Sequence, residues 1–295
     1  MSDINKTLDI TAAGAVLYQE DVDKLLQDLI EHNNPLRQNL PRKQGSGQAW
    51  IVVQRTADPS GAFVNDTEEP AYSNSTYQRV SFAYKTILAR GKVTRKLQAQ
   101  GKSLVDVESE EMMATLDIVR DTEENALFYG DSGSNAKSFD GLKVQIPAGQ
   151  TVSLGTNGGS ITLAVLDQAY DLAIGSPNML LSSKRSRRQI NALLQAQQRF
   201  VDTVQVKGGF RLMSYNDTPI FYSKQVSDTE TQGSSSLASS LYFVDTTRTW
   251  IGVLSELTMQ KFNQTSSQYQ QFDLFEDLAL VQANNRYNSK IVGLI

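Results

Sequence analysis

The longest periodic stretch of the chain runs from Asp106 toward Leu142, where apolar positions recur every three or four residues and then stop at a glycine. Met112, Leu116, Val119, Ala126 and Leu127 share one helical face, while Glu108, Glu110, Asp117, Asp121 and Glu124 fall largely on other faces. The spacing predicts one amphipathic helix over 104–129, about six or seven turns long. Ser103 is placed to cap its start, with Asp106 three positions on, and Gly130 to end it in a left-handed turn. A short polar loop follows and closes at Phe139, Asp140, Gly141 and Leu142.

On either side the period changes. Leu25, Leu26, Leu29 and Ile30 mark a helix from about Glu20 to Glu31; Pro35, Pro41 and the Gly45, Ser46, Gly47 breaker then interrupt the chain. Trp50 to Thr56 and Val80 to Lys96 read as the arms of a long hairpin. Its tip, Ala57 to Thr76, carries Pro59, Gly61 and Pro70, which disfavour central-strand pairing. A structureless tip of this length is uncommon inside one compact domain, and a neighbouring subunit that receives it explains it better. Ile161 to Ile174 reads as a helix, Met179 to Leu181 as a short buried strand, and Arg185 to Arg199 as a further helix. Gly208 and Gly209 fit a loop tip, and Leu241 to Val244 and Trp250 to Val253 are β-like. The Gly/Ser-rich stretches Pro147 to Ser160 and Asp228 to Ser240 are expected to be loops. There is no internal repeat, no heptad series and no long low-complexity tract.

Composition narrows the chemistry. At 295 residues and 40% hydrophobic content the chain can bury a sizeable core. No apolar run approaches the roughly 18 to 20 residues that span a bilayer, and Met1 to Asp9 lacks a basic region followed by an apolar one. A soluble product made in the cytoplasm, with no membrane partner, is expected. With no cysteine, disulfides, thiol nucleophiles and thiolate metal sites are excluded. The single histidine, His32, follows the Glu20 to Glu31 helix, where it suits a C-terminal cap; no partner for catalysis is announced, and zinc is disfavoured. No cofactor and no metal site is expected.

The carboxylate pairs Glu68, Glu69 and Glu123, Glu124 are sequence neighbours and read as solvated acidic surface. Gly101, Lys102 and Ser103 look like the end of a phosphate-binding loop, but Lys96 stands where its upstream glycine is needed, and the preceding strand is basic through Arg90, Lys92 and Arg95. Lys184, Arg185, Arg187 and Arg188 open a helix, yet the net charge of −4 gives no broad attractive field for phosphates. These four cations read as a solvated face, with a subunit contact as the alternative.

A helix ending in the "ENALFYGD" of Glu124 to Asp131, followed by the "FDGL" of Phe139 to Leu142, resembles the spine helix and following strand of tailed-bacteriophage major capsid proteins of the Hong Kong 97 phage type. The "NMLLSSKRSRRQINALLQ" of Asn178 to Gln195 resembles the strand and helix of that family's axial domain, and the "YNDTPIFYSKQV" of Tyr215 to Val226 the strand after its axial loop. Phe272 to Ile295 is similar to the terminal strands that return to the peripheral domain, so the likeness covers Trp50 to Ile295.

The resemblance implies an α+β fold with an N-terminal arm over 1–48, an extended hairpin loop over 49–97, a peripheral domain from 98–160 and 258–295, and an axial domain over 161–257. It implies a structural major capsid protein, not an enzyme, that self-assembles through hexamers and pentamers into an icosahedral phage head enclosing double-stranded DNA. The expected location is the virion, assembled in the host cytoplasm. Expected partners are further copies of the chain, a separate scaffolding protein, a portal and a decoration protein. Asp66, Glu68 and Glu69 near the hairpin tip are complementary to Arg90, Lys92, Arg95 and Lys96 near its base, so tip and base are expected to meet between subunits. The alternatives are an encapsulin-like nanocompartment shell, a phosphate-binding α/β enzyme using Gly101 to Ser103, and a surface- or carbohydrate-binding module, for which only the aromatic content speaks.

Overall fold

A computed structural model describes residues 32–101, 106–196, 203–205, 211–262 and 268–295. The expected Glu20 to Glu31 helix, the Lys102, Ser103 pair and the Gly208, Gly209 tip lie outside these residues. The described chain opens with a strap made of His32 to Asn34, helix α1 (Pro35–Asn39) and strand β1 (Arg42–Gln44). Proline suits the first helical position, where its missing N–H costs nothing. Strands β2 (Ala49–Ala57) and β3 (Thr76–Ala83) then pair antiparallel as a two-stranded ribbon.

The second predicted arm of the hairpin, Val80 to Lys96, divides at Tyr84. Only β3 completes the ribbon; β4 (Lys85–Thr94) leaves it to pair with a strand near the end of the chain, and α2 (Arg95–Gly101) follows. Ile87, Ala89 and Val93 alternate with exposed Leu88, Arg90 and Lys92, so β4 has an apolar face to bury and the ribbon offers nothing to bury it against. Gly101 ends a helix, which is not the strand-to-loop setting of a phosphate-binding loop.

Helix α3 (Val107–Tyr129) starts with Asp106 in the N-cap position, and the Ser109 hydroxyl donates to the Asp106 carboxylate at 2.7 Å. Gly130 ends α3 with φ −51°, so the expected left-handed cap is absent. Glycine is needed there for closeness: a Cβ would press on the backbone oxygens of Phe139 and Ala126. The segment after the loop is the short helix α4 (Leu142–Gln145), not the strand expected at "FDGL". Its start is fixed by Phe139 and Leu142, both driven into the core.

The remaining elements are β5 (Thr151–Ser153), α5 (Leu163–Leu172), β6 (Met179–Ser182), α6 (Lys184–Ala196), β7 (Thr203–Gln205), β8 (Arg211–Tyr215), β9 (Thr218–Tyr222), β10 (Glu230–Gln232), β11 (Ser235–Val244), β12 (Thr249–Lys261), β13 (Tyr269–Gln282) and β14 (Ser289–Leu294). Thr162 caps α5, accepting from the Val165 N–H. The β8–β9 turn uses Asn216 and Asp217, both with positive φ, as a two-residue hairpin of this hand requires. The expected loop Asp228 to Ser240 is instead the hairpin β10–β11, turned at Gly233 with φ +58°. Serine can line this strand because its buried hydroxyls find partners: Ser240 donates to Glu230 at 2.8 Å, and Ser239 lies among Ser183 and Ser186.

Two sheets organise these strands. One has the order β1-β12-β13-β4; the other runs β5-β14-β11-β6-β9-β8-β7, with β10 added to β11. Thus β5 and β14, from the segments 98–160 and 258–295, join the sheet that 161–257 builds. One apolar cluster gathers Leu36 of α1, Leu127 and Phe128 of α3, Leu142 of α4, Tyr242 of β11, Ile251 of β12 and Leu278 of β13. A second packs α5 and α6 on the larger sheet through Leu166, Ile190, Leu180, Leu241 and Ile291. A third seats Val119 of α3 on Phe272 and Leu274 of β13. The far end of α3 is tied to the larger sheet by Glu230, which accepts from the Tyr129 hydroxyl at 2.7 Å and faces Lys143 at 3.1 Å.

Phe272 lies across the strand from Gly91, and any Cβ at that glycine would run into its ring. Gly91→Val should therefore destabilise the fold by about 1 to 3 kcal/mol through overpacking, read as a lowered midpoint in chemical denaturation. An unchanged midpoint would show that the ring has room to move.

Candidate intersubunit surface

The ribbon β2–β3 is seated on the body by one face only. Trp50, Val52 and Gln54 point inward: Trp50 meets Trp250 edge-on with ring centroids 6.0 Å apart, and Gln54 donates to the Ala283 oxygen at 2.9 Å. Gly252 makes room, since a Cβ there would sit 3.1 Å from the Trp50 ring. Because strand side chains alternate, Ile51 and Val53 must point the other way, and they are 57% and 61% exposed. Across the strand pair they stand opposite Ser81 and Arg79, with Tyr77 exposed further out. At the tip Phe63 and Tyr72 lie almost wholly in solvent, at 109% and 97%. A two-stranded ribbon is marginal on its own in water, and a continuous uncovered apolar face on one marks a binding surface.

The residues singled out in the sequence fall in two places. Asp66, Glu68 and Glu69 are all exposed in the tip, and Glu68 accepts from the Asn65 side chain at 3.2 Å. Arg90 and Lys92 stand on the outer face of β4, with Arg95 and Lys96 exposed at the start of α2. Among the described residues no ion pair joins tip to base within the chain. Arg90 already grips Asp273 through two hydrogen bonds of 2.6 and 2.7 Å, which hold the aspartate below the usual carboxylate range. The Lys92 ammonium sits 3.9 Å from the Tyr269 ring centroid.

Beneath this surface lies a charged cluster that the sequence reading missed. Glu123 and Glu124 are 0% exposed, so their reading as solvated surface is wrong. Glu123 is paired with Arg37 and, at 2.7 Å, with Arg42, both from the strap. Arg42 also reaches Glu276 of β13 at 3.2 Å, and Glu276 is fully buried too. Glu124 accepts the first-turn N–H groups of α1, from Leu36 at 3.0 Å and Arg37 at 2.7 Å, and the Ser223 hydroxyl at 3.3 Å. One step toward the amino end of α3, Asp121 receives the Asn34 amide at 3.0 Å and the His32 ring at 2.9 Å. The strap is thereby fastened along one flank of α3 and onto the sheet. The signal for it was Arg37 and Arg42 near Pro35 and Pro41, a pair of cations with no local acid to match.

Three buried carboxylates face two guanidinium groups in this cluster, which leaves an excess of negative charge. Burial pushes the Glu124 carboxyl up to about 7, against the pull of its backbone donors. Burial, with Glu123 alongside, pushes Glu276 up to about 7 as well. The remaining sequence candidates build no site. His32 bonds Asp121, and Lys184 lies over the Tyr222 ring. Arg185 pairs with Asp228 at 3.5 Å, while Arg187 and Arg188 are exposed. Among the described residues no cluster of three or more histidines and carboxylates is placed to hold a metal ion, and no helix is long and apolar enough to cross a membrane.

Two outcomes follow from the cluster. Arg42→Ala leaves Glu123 and Glu276 without their shared cation and should cost about 3 to 5 kcal/mol in denaturation experiments; a loss under 1 kcal/mol would contradict the pairing. A carboxyl raised from 4.5 to about 7 in the fold stabilises it below the ordinary carboxylate range. That contribution is lost as pH rises through about 7, and amounts to roughly 3 kcal/mol for this shift. The stability of the native chain relative to Glu124→Gln should therefore fall between pH 5 and pH 8. A difference that stays flat or grows over that range would refute the assignment.

The surface and the fold beneath it have relatives. A family model described as the phage capsid family matches residues 14–291. In fold, the chain is similar to the SrpI encapsulin from Synechococcus elongatus, with a TM-score of 0.72, 14% identity and coverage of 97% of this chain and 95% of that one. It is similar to the capsid of a native GTA particle, with a TM-score of 0.71, 13% identity and coverage of 97% and 98%. A chain from Mycobacterium phage Bobi gives a TM-score of 0.70 at 15% identity, with coverage of 97% and 98%. No curated protein sequence matches the chain significantly. The match over nearly its whole length shows that this chain, a mixed α+β structural protein of the virion head, belongs to the phage capsid family.

Proposed function

We propose that this major capsid protein assembles through hexamers and pentamers into an icosahedral phage head around double-stranded DNA, and that it performs no catalysis. The observation that carries this reading is the ribbon: one face is anchored by Trp50 and Gln54, while Ile51, Val53 and Tyr77 on the other face are left for a neighbouring copy to cover. In this reading residues 1–48 act as an arm and 49–97 as the reaching hairpin. Residues 98–160 with 258–295 form the peripheral part around the spine helix, and 161–257 the part nearest the ring axis. Assembly would take place in the host cytoplasm, with a scaffolding protein, a portal and a decoration protein as partners.

Tip-to-base pairing between copies keeps Asp66, Glu68 and Glu69 as one side, with Lys92, Arg95 and Lys96 as the free cations of the other. Arg90 contributes less, because Asp273 already neutralises it. Each exposed pair adds only about 0 to 1 kcal/mol, but closed symmetry repeats it at every contact. The second reading, a nanocompartment that encloses protein cargo, is supported by the fold similarity to the SrpI encapsulin. The content of purified particles separates the two: nucleic acid supports the phage head, and protein cargo the compartment.

Two sets of variants test the surface. Ile51→Lys with Val53→Lys should abolish particle formation in light scattering on a sizing column, with little change in thermal midpoint because both side chains already face water. Particles at the native yield would remove the ribbon face from the interface. Glu68→Lys with Glu69→Lys should weaken assembly most at low salt, where charge pairing is least screened; assembly identical at every salt concentration would sink the charge pairing.

A further inference from the structure

One flank of α3 is buried and its opposite flank is not. Ile118, Asp121, Thr122, Asn125, Ala126 and Tyr129 line a groove of about 560 Å³, walled on its other side by the loop that follows Gly130. Their spacing, three or four residues apart over three turns, is that of a single helical stripe, the kind a second helix packs against. Ile118 is 53% exposed within it. Nothing among the described residues fills this groove, yet the chain itself arrives at its edge. His32, the first described residue, bonds Asp121 at 2.9 Å, and Asn34 bonds the other oxygen of the same carboxylate at 3.0 Å.

The residues just before His32 have the matching pattern. Val22, Leu25, Leu26, Leu29 and Ile30 recur at the spacing of one apolar helical face. A helix over 20–31 would be about 18 Å long, the length of α3 from Ile118 to Tyr129. With its last residue held at Asp121, it runs antiparallel to α3 toward Tyr129. Its amino end then lies beside the carboxyl end of α3, whose last turn carries no basic residue, so the two helix dipoles oppose favourably. Glu20 and Asp21 would occupy the first turn, where negative charge is favoured.

We propose that residues 20–31 of the same chain lie as a helix in the groove on α3, with Leu25, Leu26 and Leu29 against the stripe from Ile118 to Tyr129. This docking completes the subunit before any contact with a neighbour and does not depend on what the shell encloses.

The native chain has no cysteine, so an introduced pair reports a single contact. Asn125→Cys is combined in turn with Leu26→Cys, Leu29→Cys, Asp23→Cys and Asp28→Cys, and the full-length chain is oxidised at low concentration. Expected is an intrachain disulfide in most molecules for the Leu26 and Leu29 pairs and little for the Asp23 and Asp28 pairs, since only one helical face can bring Cα atoms within about 7 Å. Equal closure from both faces, or cross-links only between chains, would overturn the assignment. The unaltered chain gives a second reading by hydrogen exchange. The amides of 22–31 should exchange at least about tenfold slower than in a free peptide of residues 1–31, and exchange at the peptide's rate would overturn the proposal even if a double variant fails to fold.

Discussion

A carboxylate buried in the middle of a 23-residue helix has to be matched by cations brought from elsewhere, and Glu123 is matched by Arg37 and Arg42. That one requirement places the strap. Arg42 must stand between Glu123 on the helix and Glu276 on β13, so β1 is drawn to the edge of the four-stranded sheet, pairing in parallel with Ile251 to Val253 of β12. Glu124, the next residue, holds the start of α1 through its backbone, and Leu36 and Leu40 then fall into the main core. Removing one partner of such a cluster costs far more than the whole cluster contributes net, so its value lies in fixing where the strap runs. With the strap fixed, the chain leaves β1 at the one place from which the ribbon can start.

The ribbon is the counterpart of this rigidity. It is fastened at its base by Trp50 on Gly252 and Trp250, and then extends with one face wet. Exposing Ile51, Val53, Phe63 and Tyr72 is unfavourable for an isolated subunit, by about 25 cal/mol for each Å² of apolar area left in water. In a shell the same area becomes the driving force for association. A subunit of this kind is well ordered along α3 and the sheets, and incomplete along its hairpin. The family membership and the mixed α+β fold fit that division of labour.

Much of the fold was legible because it is local. Helix α3 followed from its apolar period, α5 from Thr162 and the stripe after it, and the β6–α6 unit from a short apolar run followed by cations. What stayed hidden depends on partners far along the chain. Glu123 and Glu124 look like surface until Arg37 and Arg42, more than eighty residues earlier, are brought to them. The division of the hairpin at Tyr84 is set by β13, which begins at Tyr269. Gly130 was read for its φ, whereas the reason for it is the Phe139 oxygen pressed against its Cα. The Ser-rich β10–β11 hairpin was read as a loop because hydroxyls count as polar until their buried partners are known. Of the candidate surface, the charges at tip and base were visible in the sequence, while the alternation that exposes Ile51 and Val53 needed the register with β3.

A cryo-electron-microscopy reconstruction of whatever the purified full-length chain assembles into tests the central claim most directly. The account predicts closed particles in which Ile51, Val53 and Tyr77 of each ribbon lie against a neighbouring copy while Trp50 stays on its own Trp250. Closed particles in which that face of the ribbon points to solvent, or a chain that stays monomeric with and without scaffolding protein, would contradict it.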